Sequence, residues 1–292
     1  MAKILDGKKI RVKVLEELKP DIEKINGMLA PRKLCLAIVM VGDNPESAIF
    51  VKNKKQTGEK INIKVDVHHF SEDITADELA EKVSELGTDN EVHGIIIQLP
   101  LPEHIEEQPI LDIVPLEKDV DVLGSAASGK FYVNDKDFPI IPSTLAGIIR
   151  LLAEYGITNF KGQNLIVVGQ GKLVGKPAAS YFNRKDDKDA TVINPCSHTE
   201  DKKLYKRARF IISGAGAPGI IKGDMVRNGV VVVDAGTKTD PETGKIRGDV
   251  DFESVEPKAS YITPVPGGVG PMTVAMIFYN LVQLEKQRLQ LK

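Results

Sequence analysis

At 292 residues, with 42% hydrophobic and 27% charged side chains, the chain has room for two cores and the balance of a globular protein. A net charge of -2 argues against a dedicated nucleic-acid or anionic-membrane binder, and no apolar run approaches the roughly 20 residues that span a bilayer. Two cysteines cannot make a disulfide framework and neither stands with histidines at zinc spacing, so no metal is expected; the opening "MAKILDGKKI" carries no signal-peptide run, and a cytoplasmic setting is the default.

Strand and helix patterns alternate along the chain. "KLCLAIVMVG" reads as a buried strand, with Cys35 a small hydrophobe inside it, and a polar helix follows through "ESAIFVKNKKQTGEK". "KVDVHHF" is a second strand, "TADELAEKVSELG" an acid-started helix, and "VHGIIIQLP" a third strand stopped by proline. After the proline-dotted bridge "DFPIIPSTLAG" the rhythm restarts. "NLIVVG", "ATVIN", "RFIISGAG" and "GVVVVDAG" are four further strands, and their continuous apolar runs require cover on both faces. The expected architecture is α/β, with two domains, the second a Rossmann-like doubly wound sheet.

The helix over "STLAGIIRLLAEYG" sets Leu145, Ile148, Ile149 and Leu152 on one stripe, and a closing helix does the same with Val274, Ile277, Leu281 and Leu284. These two helices are the expected struts joining the domains. The division expected is 1–144, completed by a closing helix over 272–292, and 145–271.

After "NLIVVG" the glycines Gly169, Gly171 and Gly175 fall at G-x-G-x-x-x-G spacing. Such a turn lets the main chain approach a pyrophosphate, and the following helix N-terminus favours its charge. The next strand, "ATVIN", ends without the Asp or Glu that would bind ribose hydroxyls and repel an extra phosphate, which leaves NADP possible. Lys172, Ser197, His198 and Thr199 are nearby donors, and "SGAGAPG" and "DAGT", with Thr237, end two later strands in small residues.

The segment "TPVPGGVGPMT", Thr263 to Thr273, resembles the C-terminal signature of the bifunctional methylenetetrahydrofolate dehydrogenase/methenyltetrahydrofolate cyclohydrolases. The resemblance runs in order through "VGDNPESAIFVKNK", "GIIIQLPLP", "KDVD", "LVGKP", "ATV" and "GDVDF". It implies a folate-binding cleft between the two domains, an NAD(P) domain at 145–271, and usually a homodimer. It also implies that 1–144 is the catalytic and folate-binding part, serving one-carbon metabolism.

By the same resemblance Lys54 performs the proton transfers of the cyclohydrolase step, Gln98 stands beside it, and Asp121 holds the pterin. A lysine with a pKa lowered by burial suits that step at neutral pH. Phe50, four residues before Lys54, shares its helix face and can stack on a pterin or aminobenzoyl ring. Asp119 reads as the solvent-facing member of "KDVD". Pro264, Gly267 and Gly268 belong to a rigid, backbone-rich wall, and Gly169, Gln170, Gly171, Ser197, Thr199 and Thr237 to the cofactor site, with NADP the expected cofactor and NAD possible.

The chain departs from the family pattern at several positions. Phe50 replaces the usual tyrosine, Val122 a glycine, Ala127 a common asparagine, and Leu145 a common proline. Gly169-Gln170-Gly171 stands for the usual Gly-Arg-Ser, and the missing arginine is the one associated with the NADP phosphate. Three readings follow: the bifunctional enzyme, a dehydrogenase with weakened cyclohydrolase activity, and a folate- or nucleotide-binding homologue without turnover.

Overall fold

A computed structural model describes residues 1–185, 189–195, 202–239 and 244–291. The chain opens with β1 (Lys3–Ile4) and α1 (Gly7–Leu29). There follow β2 (Cys35–Val41), α2 (Pro45–Lys60), β3 (Lys64–Phe70), α3 (Ala76–Thr88), β4 (Gly94–Ile97), α4 (Glu107–Ile113) and α5 (Ser125–Tyr132). The remainder is α6 (Ser143–Glu154), β5 (Asn164–Val168), α7 (Gly175–Phe182), β6 (Thr191–Ile193), α8 (Lys202–Arg207), β7 (Phe210–Ser213) and β8 (Val230–Asp234). A short hairpin of β9 (Lys238–Thr239) and β10 (Ile246–Arg247), then α9 (Phe252–Val255), β11 (Ala259–Ile262) and α10 (Val269–Arg288) complete it.

Two compact units emerge, Lys13–Ser143 with Val274–Lys292, and Met1–Val12 with Thr144–Thr273. The closing helix therefore returns to the first of these, and the divisions fall inside α1, α6 and α10. The opening twelve residues differ from the sequence expectation. They join the second unit because β1 pairs in parallel with β11, and Leu5 N donates to Ile262 O. Two residues of strand leave no periodic signal, so this pairing is decided by distant chain.

In the Lys13–Ser143 unit, β2 is the centre of a parallel sheet ordered β3-β2-β4. All seven of its residues are buried, as a continuous apolar run requires. Ala37, Val39 and Val41 pack with Leu79 and Val83 of α3 and with Ile110 and Leu111 of α4. On the other face, a Cβ at Gly94 would lie 2.7 Å from Leu281 and 3.5 Å from Leu36, so glycine admits α10 to the sheet. Helix α2 begins at Pro45, with Asn44 accepting from Ser47 N, and α3 begins with a capping box of Thr75 and Glu78.

The second unit carries a six-stranded, all-parallel sheet ordered β1-β11-β8-β7-β5-β6. Its core includes Ile166, Val168, Ile211, Val230, Val232 and Ile262. From β5 the chain steps to β6 on one side and then to β7 on the other, so the strand order reverses between β5 and β7. Ligands of open α/β sheets bind at the carboxyl ends of strands at such a switch point. Leu145 and Ile148 of α6 are buried, as their stripe predicts, while Ile149 is half-buried at its edge.

Candidate functional site

In the Lys13–Ser143 unit, α2 carries Phe50 and Lys54 one turn apart, with Phe50 half-buried and Lys54 only 6% exposed. Lys54 Nζ donates to Gln98 Oε1 at 2.7 Å. Gln98 follows β4, placed there by the bond of its N–H to Val39 O, and its amide nitrogen donates to Leu99 O at 2.8 Å. That second bond fixes which end of the amide faces the lysine. Burial lowers the Lys54 ammonium to about 8, against the opposing pull of the nearby Asp121 carboxylate. The three residues singled out from sequence thus share one electrostatic environment.

The loop bearing Asp121 is fastened from several sides. Asn280 of α10, 1% exposed, donates to Val120 O at 2.8 Å, to Ile141 O at 2.9 Å and to Ser143 Oγ at 3.2 Å. Ser143 Oγ also donates to Val120 O, at 3.1 Å. Asp119 is not the solvent-facing acid expected from sequence: it is 4% exposed, and Asp121 is the more open of the two. Its carboxylate accepts from Leu123 N at 3.1 Å and Gly124 N at 2.8 Å. Burial pushes Asp119 up to about 6, with those two N–H bonds pulling the other way.

Within this loop Val122 has φ +59°, a left-handed position that explains why glycine is usual there. A β-branched residue so placed costs on the order of 1–3 kcal/mol and persists only where its surroundings over-determine it. The bonds to Asp119, and Ser128 Oγ donating to Val122 O at 2.9 Å, supply that constraint. Ala127, at the position of the common asparagine, is buried.

In the second unit, Gly169, Gln170 and Gly171 lie at the carboxyl end of β5, beside the switch point. Gly169 has φ +100°, and a Cβ there would meet Gly214 O at 2.6 Å, so the turn and the loop after β7 touch through their main chains. Gly175 opens α7, and a Cβ on it would lie 2.1 Å from Gly169 O. Gln170 is exposed, and its amide donates to Asn194 O at 3.4 Å. With its amide nitrogen turned to the main chain, Asn194 donates to Gly169 O and Val167 O, so a neutral amide occupies the end of β6.

These residues fit a nicotinamide nucleotide. Helix α7 starts after Val174, which has no side-chain oxygen to cap it, so a phosphate would meet the open N-terminus. A Cβ at Gly171 would meet nothing within 4 Å, leaving that side of the turn open. Thr237 is exposed and follows β8 at the same sheet edge, while Lys172 is half-buried in the turn. Ser197, His198 and Thr199 lie outside the described residues.

Pro264, Gly267 and Gly268 form a tight turn, with Gly268 N donating to Pro264 O at 2.8 Å and Gly267 at φ +118°. Gly268 O lies where a Cβ on Gly7 would come within 1.7 Å, so packing against the start of α1 already explains the Gly7–Gly268 pair.

The parallel sheet reversing at a glycine turn, with a buried lysine centre in the other unit, defines a two-domain α/β enzyme of the nucleotide-dependent class. The family model described as "Tetrahydrofolate dehydrogenase/cyclohydrolase, catalytic domain" matches residues 5–121, and that of the NAD(P)-binding domain matches 142–289. The chain belongs to the tetrahydrofolate dehydrogenase/cyclohydrolase family. It is 43% identical over 290 residues to the bifunctional protein FolD of Campylobacter jejuni, covering 98% of this chain and 99% of the relative. A crystal structure of the C. jejuni enzyme superposes with a TM-score of 0.91 at 40% identity, covering 99% of this chain and 100% of that one. The Trypanosoma brucei enzyme, solved with NADP and an inhibitor, gives a TM-score of 0.92 at 28% identity, with 99% of each chain covered.

Proposed function

We propose that this chain oxidises methylenetetrahydrofolate to methenyltetrahydrofolate with NADP, accepting NAD as well, and hydrolyses the product to formyltetrahydrofolate in one-carbon metabolism. The observation that carries the hydrolytic half is Lys54, buried, held by Gln98 at 2.7 Å and lowered to about 8. A water adding to the methenyl carbon must lose a proton, and the ring nitrogen must gain one as the ring opens. The neutral amine of Lys54 takes the first, and its ammonium returns it to the ring. Gln98 Oε1 accepts from the lysine in either protonation state, so the nitrogen keeps its place through the exchange. Asp121 accepts paired N–H bonds from the pterin and fixes its orientation. Phe50 stacks on the folate rings.

Gly169, Gln170, Gly171 and Thr237, with Ser197 and Thr199, would hold the nucleotide. Its nicotinamide, when bound, supplies the hydride acceptor. The chain's part in that half is placement of the two rings, since hydride transfer requires no protein base.

A homodimer in the cytoplasm is the setting this reading entails. Among the described residues, seven-residue β3 pairs only with β2, so its outer row of N–H and C=O groups is available to a second copy. Among the described residues no helix is long and apolar enough to cross a membrane.

The test follows methylenetetrahydrofolate with NADP and NAD in parallel, monitoring formation and decay of the methenyl absorbance. Formation followed by decay faster than in buffer supports the full reading. Formation without accelerated decay would leave a dehydrogenase alone, and neither event would leave a binding protein.

A further inference from the structure

Asp249 lies between β10 and α9, is 1% exposed, and has no place in the chemistry described above. Its carboxylate gathers three donors from one short stretch. Oδ2 accepts from Ser213 Oγ and Ala215 N, both at 2.7 Å, and Oδ1 accepts from Ala217 N at 2.8 Å. That stretch, 213–217, is the loop leaving the carboxyl end of β7, on the far side of the switch point from the glycine turn.

The chain makes room for this carboxylate at some cost in side chains. A Cβ at Gly236 would lie 2.3 Å from the Asp249 carboxyl carbon, and one at Gly248 would lie 2.1 Å from Asp234 Oδ2. Asp234 is itself buried and accepts from Gly236 N at 2.9 Å, Asp249 N at 3.2 Å and Val250 N at 2.9 Å. Asp234 therefore holds the main chain at Asp249, and Asp249 in turn holds the 213–217 loop.

What they fix touches the nucleotide turn. Gly214 O sits 2.6 Å from where a Cβ of Gly169 would be, and a Cβ on Gly214 would meet the Val174 side chain at 2.6 Å. There is no slack between the loop after β7 and the turn after β5. We propose that Asp249 is a positioning residue for the nicotinamide nucleotide, its carboxylate setting the 213–217 loop as the second wall of the crevice beside Gly169. The inference rests on the nucleotide reading of that turn. Three donors converge on two oxygens, and an amide in the same place would turn an N–H against at least one of them.

The experiment compares the unaltered protein with Asp249→Ala, Asp249→Asn and Ser213→Ala. Each is titrated calorimetrically with NADP in the absence of folate, followed by amide exchange at Ala215 and Ala217, and assayed for hydrolysis of supplied methenyltetrahydrofolate. Losing bonds to a charged acceptor weakens NADP binding in Asp249→Ala by about tenfold or more, with Asp249→Asn intermediate. Exchange at Ala215 and Ala217 accelerates, and hydrolysis keeps its rate. Accelerated exchange with unchanged NADP affinity would overturn the inference, as would a parallel loss of hydrolysis in Asp249→Asn, which marks a general structural role. Should Asp249→Ala fail to fold, Asp249→Asn and Ser213→Ala decide by the same criteria. An unaltered protein that binds no NADP would instead remove the nucleotide reading itself.

Discussion

Lys54 Nζ lies 2.7 Å from Gln98 Oε1, an ammonium-to-amide contact whose lysine is only 6% exposed. Gln98 is neutral, so it holds the lysine without adding to the upward pull of Asp121, and burial prevails in lowering it to about 8. The base form is required for hydrolysis, so the rate of methenyl decay rises with pH through about 8 and levels above it. The same shift acts on stability. A lysine pKa depressed in the folded state contributes stability above the unfolded value of 10.5 that is lost as pH falls through about 8. At pH 7 the buried charge is therefore a burden, and Lys54→Met raises unfolding stability by roughly 1–3 kcal/mol. Urea melts of both proteins at pH 7 check this, and a less stable methionine variant contradicts it.

In the proposed reading Asp121→Ala removes the pterin's acceptor, and a hydrogen bond to a charged group is worth roughly 1.5–3 kcal/mol. Dehydrogenase and hydrolase activities fall together, each through folate affinity. Steady-state constants for both reactions are the measurement, and normal folate binding in the variant would show that Asp121 is a plain loop acid.

Asp119→Ala acts on the loop that carries Asp121. It leaves Leu123 N and Gly124 N without their buried acceptor, at a cost of roughly 1–3 kcal/mol each, and frees Val122 from φ +59°. Thermal unfolding falls, and the folate KM rises in both reactions. An unchanged melting temperature would mean that the carboxylate does not hold this loop.

Gln170 is an exposed neutral amide where the family usually has an arginine. Gln170→Arg adds a charge-assisted fork for the ribose phosphate, so NADP binding strengthens, its salt dependence steepens, and NAD binding stays nearly constant. Titrations with both nucleotides at two salt concentrations test this. Strong NADP selectivity in the unaltered protein, with no gain in the variant, would place the phosphate on other groups, of which Lys172 is the first to change.

The alternating rhythm and the switch-point turn were legible because buried parallel strands are written as apolar runs, as in β2 and β8. Lys54 and Gln98 were legible only through ordered blocks of family resemblance, since 44 residues separate two partners that meet across the fold. Asp119 misled because a loop acid that accepts main-chain N–H groups has the same spelling as a solvated one. Asn280 carried no signal, and Asp249 stood inside "GDVDF" with no role attached, for a similar reason. Each satisfies main-chain groups from distant segments, and no local period records those. The placement of β1 beside β11 was lost to brevity.

Lys54→Met separates hydrolysis, which Lys54 drives, from hydride transfer, which proceeds without it. Mixed with methylenetetrahydrofolate and NADP, this variant is expected to form NADPH at a measurable rate. Methenyltetrahydrofolate should accumulate in step with it and decay no faster than in buffer. NADPH formation with methenyl decay as fast as in the unaltered protein would show that Lys54 is not the proton-transfer group of hydrolysis.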